Sequence, residues 1–106
     1  MEIIFHEHHA PVSAYMRQRA STGVRRLTAR LDRAVDAIVR FEQDGPTRRV
    51  EIILRSARQK SLVAKAEGRY FGPALGVALG KLRGQIAAGK RVSRARAARS
   101  RVLARA

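Results

Sequence analysis

The chain has 106 residues, of which 23 are Lys or Arg and 8 are Asp or Glu, giving a formal net charge of +15. This length predicts one domain with a single core, and the absence of cysteine excludes disulfides and thiolate metal sites. No apolar run reaches the about 18 residues of a membrane span and residues 1–10 lack a signal-peptide core, so we expect a cytoplasmic protein. Because such an excess of positive charge repels itself, it favours a polyanionic partner such as nucleic acid.

The first predicted elements are a strand, a helix and a second strand. Residues 1–6 have the alternation of a short strand, and Ser13 is the predicted N-cap of the helix that follows. Apolar residues spaced three or four apart indicate this helix, and they are Val12, Met16, Ala20, Val24, Leu27 and Leu31. Residues 34–42 are rich in β-branched and aromatic side chains and alternate as a strand with one apolar face.

The polar side of the first predicted helix is rich in arginine. A rotation of about 100° per residue places a second stripe opposite the apolar one, consisting of Tyr15, Arg19, Thr22, Arg26, Arg30 and Arg33. A solvated helix face normally mixes both signs of charge, whereas Asp32 is the only acid between Ser13 and Ala34. We therefore predict that this row contacts the phosphates of a nucleic acid.

Two further strands and a second helix follow. Residues 48–56 alternate with one polar face, and residues 61–67 form the last predicted strand. The second helix is predicted to start near Tyr70, because Pro73 suits an early helical position and Gly68 suits the preceding turn. Its apolar stripe consists of Phe71, Leu75, Ala78, Leu79, Leu82 and Ile86. This order predicts an α+β fold, β-α-β-β-β-α, with a four-stranded sheet and both helices packed on one face.

The second predicted helix contains a regular series of glycines. Gly72, Gly76, Gly80 and Gly84 recur every four residues, and the last three fall away from the predicted core stripe. Each interior glycine costs about 1 kcal/mol relative to alanine. We interpret the series either as a bare ridge that lets an RNA backbone or another helix come close, or as the result of relaxed selection.

The composition changes at the end of the chain. From Gly89 onward it is dominated by Arg and Ala and contains no acid. We therefore divide the chain into a folded domain, residues 1–89, and a basic tail, residues 90–106. Ala and Arg favour helix whereas like charges oppose it, so we expect the tail to be disordered or a frayed extension of the second helix.

Several short motifs occur in a recognisable order. They are His8 and His9 followed by Val12 and Ser13, MRQ at 16–18, RL…RLDR up to Arg33, IVRFE, and VAKAEG followed by KLRGQI. With this order and nearly gapless spacing, residues 1–91 resemble the ribosome hibernation-promoting factor and ribosome-associated inhibitor family, also called the sigma-54 modulation protein family.

The resemblance implies a fold similar in outline to double-stranded-RNA-binding domains. It also implies binding to rRNA in the cleft between the head and body of the small ribosomal subunit. There the protein would block the messenger and transfer RNA sites of an idle ribosome. Long members have a further C-terminal domain that pairs ribosomes, and we expect this chain to be a short form without that dimerisation domain.

The predicted RNA-binding residues combine the arginine row of the first helix with basic positions of the family. Arg26, Lys81 and Lys90 match such positions, whereas Gly84 does not, and Arg83 is expected to reach over from the next position. Residues 70–76 also depart from the family's acidic-aromatic signature, which resembles D-M-Y-x-A-I-D. The full predicted set is Arg19, Arg26, Arg30, Arg33, Lys81, Arg83, Lys90 and Arg91.

Two other functions fit the sequence. One is a general RNA-binding module of similar fold, favoured by the altered start of the second helix, and the other is a protein-interaction domain that uses the glycine ridge. His6, His8 and His9 are interpreted as loop residues rather than a metal site, Phe71 as core, and Tyr70 as a candidate for base stacking. Because no catalytic motif occurs, we expect no enzyme activity, no cofactor and no small-molecule substrate. The basic tail lacks the bulky apolar face of an interfacial helix, so we expect no membrane partner.

Overall fold

The computed structural model describes residues 1–29, 31, 34–57 and 60–105, with side chains up to residue 89. The elements are β1 Glu2–His8, α1 Ala14–Thr28, β2 Ala34–Asp44, β3 Thr47–Ser56, β4 Leu62–Gly68 and α2 Phe71–Arg105. The strands form one sheet in the order β1-β2-β3-β4, in which β1 is parallel to β2 and the other neighbours are antiparallel. The predicted α+β fold with the order β-α-β-β-β-α is confirmed.

The core lies between the two helices and one face of the sheet. Alternating side chains of the central strands point into it, because β-branched and aromatic residues fit a pleated surface that is buried on one side. The inward pairs across β2 and β3 are Ala37 with Leu54, Val39 with Ile52, and Phe41 with Val50, and all are 0% exposed. The predicted apolar faces of these strands are therefore the observed ones.

Helix α1 begins at its predicted cap. The hydroxyl of Ser13 accepts a hydrogen bond from the backbone N–H of Met16 at 3.1 Å, which satisfies one of the free donors of the first turn. Gly23 lies where α1 meets α2, and a Cβ added there would be 2.6 Å from Cδ1 of Leu79. The glycine therefore lets the two helices approach closely.

Helix α2 begins one residue beyond Tyr70, and its predicted apolar stripe packs on the sheet. Leu75, Ala78 and Leu82 are buried, and the other members of the stripe pack against the same core. The ring of Phe71 meets that of Phe41 edge to face, with 5.4 Å between centroids. The assignment of Phe71 to the core is thus confirmed, and both helices cover the same face of the sheet.

The end of α2 is described by its backbone alone. The backbone is helical to Arg105, whereas the side chains from Lys90 onward lie outside the described residues. The boundary between residues 89 and 90 and the state of the tail therefore stay predictions. None of the described helices is long and apolar enough to cross a membrane.

Candidate nucleic-acid interface

The outer face of the sheet, on the side away from the helices, pairs its cations with carboxylates. The strand register places Arg40, Glu51 and Lys65 next to one another across β2, β3 and β4. Nη1 of Arg40 lies 3.4 Å from one carboxylate oxygen of Glu51, and Nζ of Lys65 lies 3.3 Å from the other. Arg55 pairs in the same way with Asp36, its direct neighbour in the register. Each of these cations has a partner within the sheet.

Arg49 is surrounded by three carboxylates on the same outer face. Its guanidinium lies 3.0 Å from Glu67, 3.6 Å from Glu42 and 3.7 Å from Asp44. The hydrogen bond to Glu67 and the nearby negative charges raise the pKa of Arg49 above its usual value. An incoming phosphate would have to compete with these carboxylates, so the outer face is a poor surface for nucleic acid.

The helix face has the opposite character, because a groove between α1 and α2 is lined by arginine and glycine. We call it the interhelical groove, and its lining residues are Gly23, Arg26, Leu27, Gly76, Leu79, Gly80 and Arg83. Within the described part of the chain, neither Arg26 nor Arg83 forms an ion pair with a carboxylate. Positive charge is therefore unbalanced here, which is the condition for binding an anion.

Arg19 lies at the end of the interhelical groove nearest the start of α2. Its Nη1 donates a hydrogen bond to the backbone oxygen of Gly72 at 3.3 Å. A Cβ added at Gly72 would lie 3.2 Å from this nitrogen, and one added at Gly76 would lie 3.8 Å from Nη2. Of the predicted RNA-binding residues, the structure thus brings together Arg19, Arg26 and Arg83.

Lys81 lies on a different side of α2. Its Nζ donates a hydrogen bond to the backbone oxygen of Lys65 in β4 at 2.8 Å, and it borders a pocket that Glu51 and Glu67 also line. The structure therefore does not place Lys81 in the interhelical groove with the arginines. Its predicted contact with rRNA stays a prediction.

Four of the predicted site residues lie beyond the side chains that the structure describes. Arg30 and Arg33 lie outside the described residues, and so do the side chains of Lys90 and Arg91. Tyr70 is described and is 68% exposed next to the start of α2, and its role in base stacking stays a prediction.

Of the three histidines, His6 and His8 lie within β1 and His9 follows it. The prediction that all three are loop residues is therefore wrong for His6 and His8, because the strand continues two residues beyond its predicted end. The rings of His8 and His9 lie 4.3 Å apart at their centroids. Within the described ranges, no group of three or more His, Cys, Asp or Glu side chains is placed to hold a metal ion.

One basic residue near the start of α2 was missed by sequence reasoning. Arg48 lies near the start of β3 on the inward-facing side, and its guanidinium carbon is 5.9 Å from the centroid of the Phe71 ring. It also donates a hydrogen bond to the backbone oxygen of Arg69. The available signal was its spacing of two from Val50, which places an arginine on the apolar face of the strand. Arg48 adds a second cation, beside Arg19, near the start of α2.

Two solved structures are similar to this chain. A ribosomal subunit interface protein from Coxiella burnetii matches with a TM-score of 0.78 and 16% sequence identity, and the match covers 86% of this chain and 99% of that one. The N-terminal domain of Protein Y from Thermus thermophilus matches with a TM-score of 0.71 and 20% identity, covering 81% of this chain and 96% of that one. The chain shares its fold with both proteins.

This likeness confirms, at the level of the fold, the resemblance to the hibernation-promoting factor family that the sequence motifs predicted. No protein-family model matches the sequence, and no curated protein does. The likeness therefore concerns the fold alone. The residues of the interhelical groove indicate the candidate surface for binding nucleic acid.

Proposed function

We propose that this protein is a non-enzymatic ribosome-binding factor that uses its helix face to contact rRNA of the small subunit. The observation that supports this most directly is the division of charge between its two faces. The outer sheet face pairs its described cations with carboxylates, whereas no carboxylate among the described residues lines the groove that Arg26 and Arg83 flank. The shared fold with a ribosomal subunit interface protein supports the same proposal.

The proposed mechanism is inhibition by occupancy. Arginine binds phosphate with a planar fork of donors, and neutralising rRNA phosphates releases their counterions, which supplies affinity without any chemical step. A domain seated in the cleft between head and body of the small subunit would exclude messenger and transfer RNA from an idle ribosome. Arg30, Arg33, Lys81, Lys90 and Arg91 are proposed to add further phosphate contacts.

The proposal is tested by removing charge from one face at a time. Arg26→Gln with Arg83→Gln removes two positive charges from the interhelical groove, and Arg40→Gln with Lys65→Gln removes the same charge from the sheet face. We expect the groove variant to sediment less with small ribosomal subunits over a KCl series. The slope of log affinity against log salt should fall by about one for each phosphate that the variant no longer neutralises.

The sheet variant is the control for net charge. It should bind as the wild type does, because its two cations are already paired with Glu51 and exposed pairs contribute only about 0–1 kcal/mol to stability. Wild-type binding by the groove variant, or equally weakened binding in both variants, would contradict the proposed interface.

A second candidate is a general RNA-binding module that does not require the ribosome. It is favoured by the start of α2, where Tyr70, Gly72 and Gly76 stand in place of the acidic and aromatic residues of the family's signature. An excess of unrelated double-stranded RNA separates the two functions. It should displace a general module from small subunits, whereas a ribosome-specific factor should stay bound.

A further inference from the structure

The interhelical groove exposes the backbone of α2 at two glycines. A Cβ added at Gly80 would meet no atom within 4 Å, and one added at Gly76 would meet only Nη2 of Arg19, at 3.8 Å. An alanine would therefore fit at either position in the unbound protein. Alanine would also stabilise the helix, since a glycine in a helix interior is destabilising. Packing among the described residues does not account for these two glycines.

Gly23 provides an internal contrast. It lies on the α1 side of the same groove, and a Cβ there would be 2.6 Å from Cδ1 of Leu79. The side chain of Leu79 would have to move to admit a Cβ at position 23, so packing between the helices favours glycine there. Gly76 and Gly80 have no such partner in the part of the chain that the structure describes, yet they line the same groove, so the space above them is open to a ligand.

The chemistry of the groove favours a polyanionic strand as this ligand. Arg26 and Arg83 line it together with Leu27 and Leu79, and no described carboxylate does. A sugar–phosphate backbone combines anionic phosphates with less polar sugar faces. This matches a groove that is lined by both arginine and leucine side chains. A partner protein helix with an apolar face would leave the charges of the two arginines unmatched.

We propose that the interhelical groove seats a sugar–phosphate strand of RNA, which passes directly over the backbone of α2 at Gly76 and Gly80. Arg26 and Arg83 bind the phosphates on either side of the crossing. The missing Cβ atoms let the strand come closer by about the length of one carbon–carbon bond, 1.5 Å. This inference rests on the proposed function and assigns its contact surface.

The chain supplies a matched control for the test. Gly84 and Gly89 belong to the same helix, do not line the groove, and would also accept a Cβ with nothing within 4 Å. We compare Gly76→Ala with Gly80→Ala, as a double variant, with the double variant Gly84→Ala and Gly89→Ala. Both should raise the midpoint of thermal unfolding, because both replace helix-interior glycines.

Only the double variant Gly76→Ala, Gly80→Ala should bind small ribosomal subunits more weakly, by about tenfold or more, in sedimentation at fixed salt. Wild-type binding by this variant would overturn the inference, and so would an equal weakening in both glycine double variants. If Gly76→Ala with Gly80→Ala binds normally while Arg26→Gln with Arg83→Gln binds weakly, the inference fails and the proposed function stands. If neither the glycine variant nor the arginine variant binds more weakly, the inference and the proposed function both fail.

A second measurement locates the RNA directly. Because the chain has no cysteine, Gly84→Cys and Arg40→Cys each provide a unique attachment point for an iron–EDTA group that cleaves nearby RNA backbone. Cleavage of rRNA from position 84 and not from position 40 is expected. Cleavage only from position 40 would place the RNA on the sheet face and overturn the inference.

Discussion

Asp36 is the carboxylate most sheltered from solvent among the described residues. It is 6% exposed, and Nε of Arg55 donates a hydrogen bond to its Oδ1 at 2.6 Å while Nη2 donates to Oδ2. This bidentate hydrogen bonding lowers the pKa of Asp36, and burial acts in the opposite direction. The pair therefore links the stability of the sheet to pH.

The pH dependence of unfolding follows from this shift. A carboxylate with a lowered pKa in the folded state contributes stability that is fully present above its unfolded pKa of about 3.9. That stability is lost as the pH falls through the lower, folded pKa. Asp36→Asn should therefore reduce the free energy of unfolding at neutral pH and flatten its dependence on pH below about 4, as measured by urea unfolding.

Asp44→Asn is the matched control for Asp36→Asn. The side chain of Asp44 is 71% exposed and lies 3.7 Å from Arg49 in a surface pair, so its removal should change the pH profile little. If the free energy of unfolding falls equally at low pH in the wild type and in Asp36→Asn, the pair of Asp36 with Arg55 does not supply this pH dependence.

Individual residues differ in how far the sequence predicted them. Ser13 and the inward faces of β2 and β3 followed from local rules, because capping and alternation depend on neighbours in the chain. Arg48 did not follow, since its place over Phe71 depends on a contact between β3 and the start of α2. Local periodicity identifies the face on which a side chain lies but not what it meets there.

At the scale of elements, α2 does more than cover the core, because it also contacts the free edge of the sheet. Strand β4 has a neighbour on one side only. Lys81 donates to the backbone oxygen of Lys65 and Gln85 to that of Val63, both at 2.8 Å. Two side chains one helical turn apart thus bind two carbonyls of the edge strand, which would otherwise be open to pairing with another chain.

Removing these two donors should weaken the edge. Lys81→Ala with Gln85→Ala is expected to lower the free energy of unfolding by about 1–2 kcal/mol, because each net hydrogen bond contributes about 0.5–1.5 kcal/mol. It should also increase self-association, measured by light scattering of the purified protein. Arg83→Ala, which removes an exposed cation from the same helix without such a bond, should show neither change.

The relation between the two helices explains why the candidate site was only partly predictable. Periodicity placed Arg19 and Arg26 on the polar side of α1, but it gave no rotation of α2 relative to α1. In the structure the two helices meet where Gly23 contacts Leu79, two residues that are far apart in the sequence. In this arrangement Arg83 lines the groove whereas Lys81 lies at β4, although the two residues are close together in the same motif.

At the scale of the whole molecule, the fold separates balanced from unbalanced charge. The outer face of the sheet carries a row of apolar side chains, Ile4, Ile38, Ile53 and Val63, and beside it Glu and Arg on neighbouring strands pair with one another. The helices need only one apolar stripe each, so their remaining surface can carry charge. There Arg17 pairs with Glu7 at 3.2 Å, whereas Arg26 and Arg83 have no carboxylate partner among the described residues. The sequence of the tail adds seven of the chain's 23 Lys and Arg residues to this surface charge.

The predicted boundary at residue 89 can be tested by shortening the chain. The core and the side chains packed against it lie between Ile3 and Ile86, so a chain ending at Gly89 retains all of them. It should unfold at the same temperature as the full chain, measured by circular dichroism.

The removed segment holds seven basic residues, namely Lys90, Arg91, Arg94, Arg96, Arg99, Arg101 and Arg105. Binding to small ribosomal subunits should weaken, and its salt slope should fall by about one for each tail residue that contacts phosphate.

A full-length variant with those seven residues replaced by Gln separates the charge of the tail from its length. If the tail acts through phosphate contacts alone, this variant should bind ribosomes as weakly as the shortened chain does, because both lack the same charges. A lower unfolding temperature for the shortened chain would instead make residues 90–106 part of the folded domain. An unchanged salt slope in both variants would show that the groove residues bind rRNA without help from the tail.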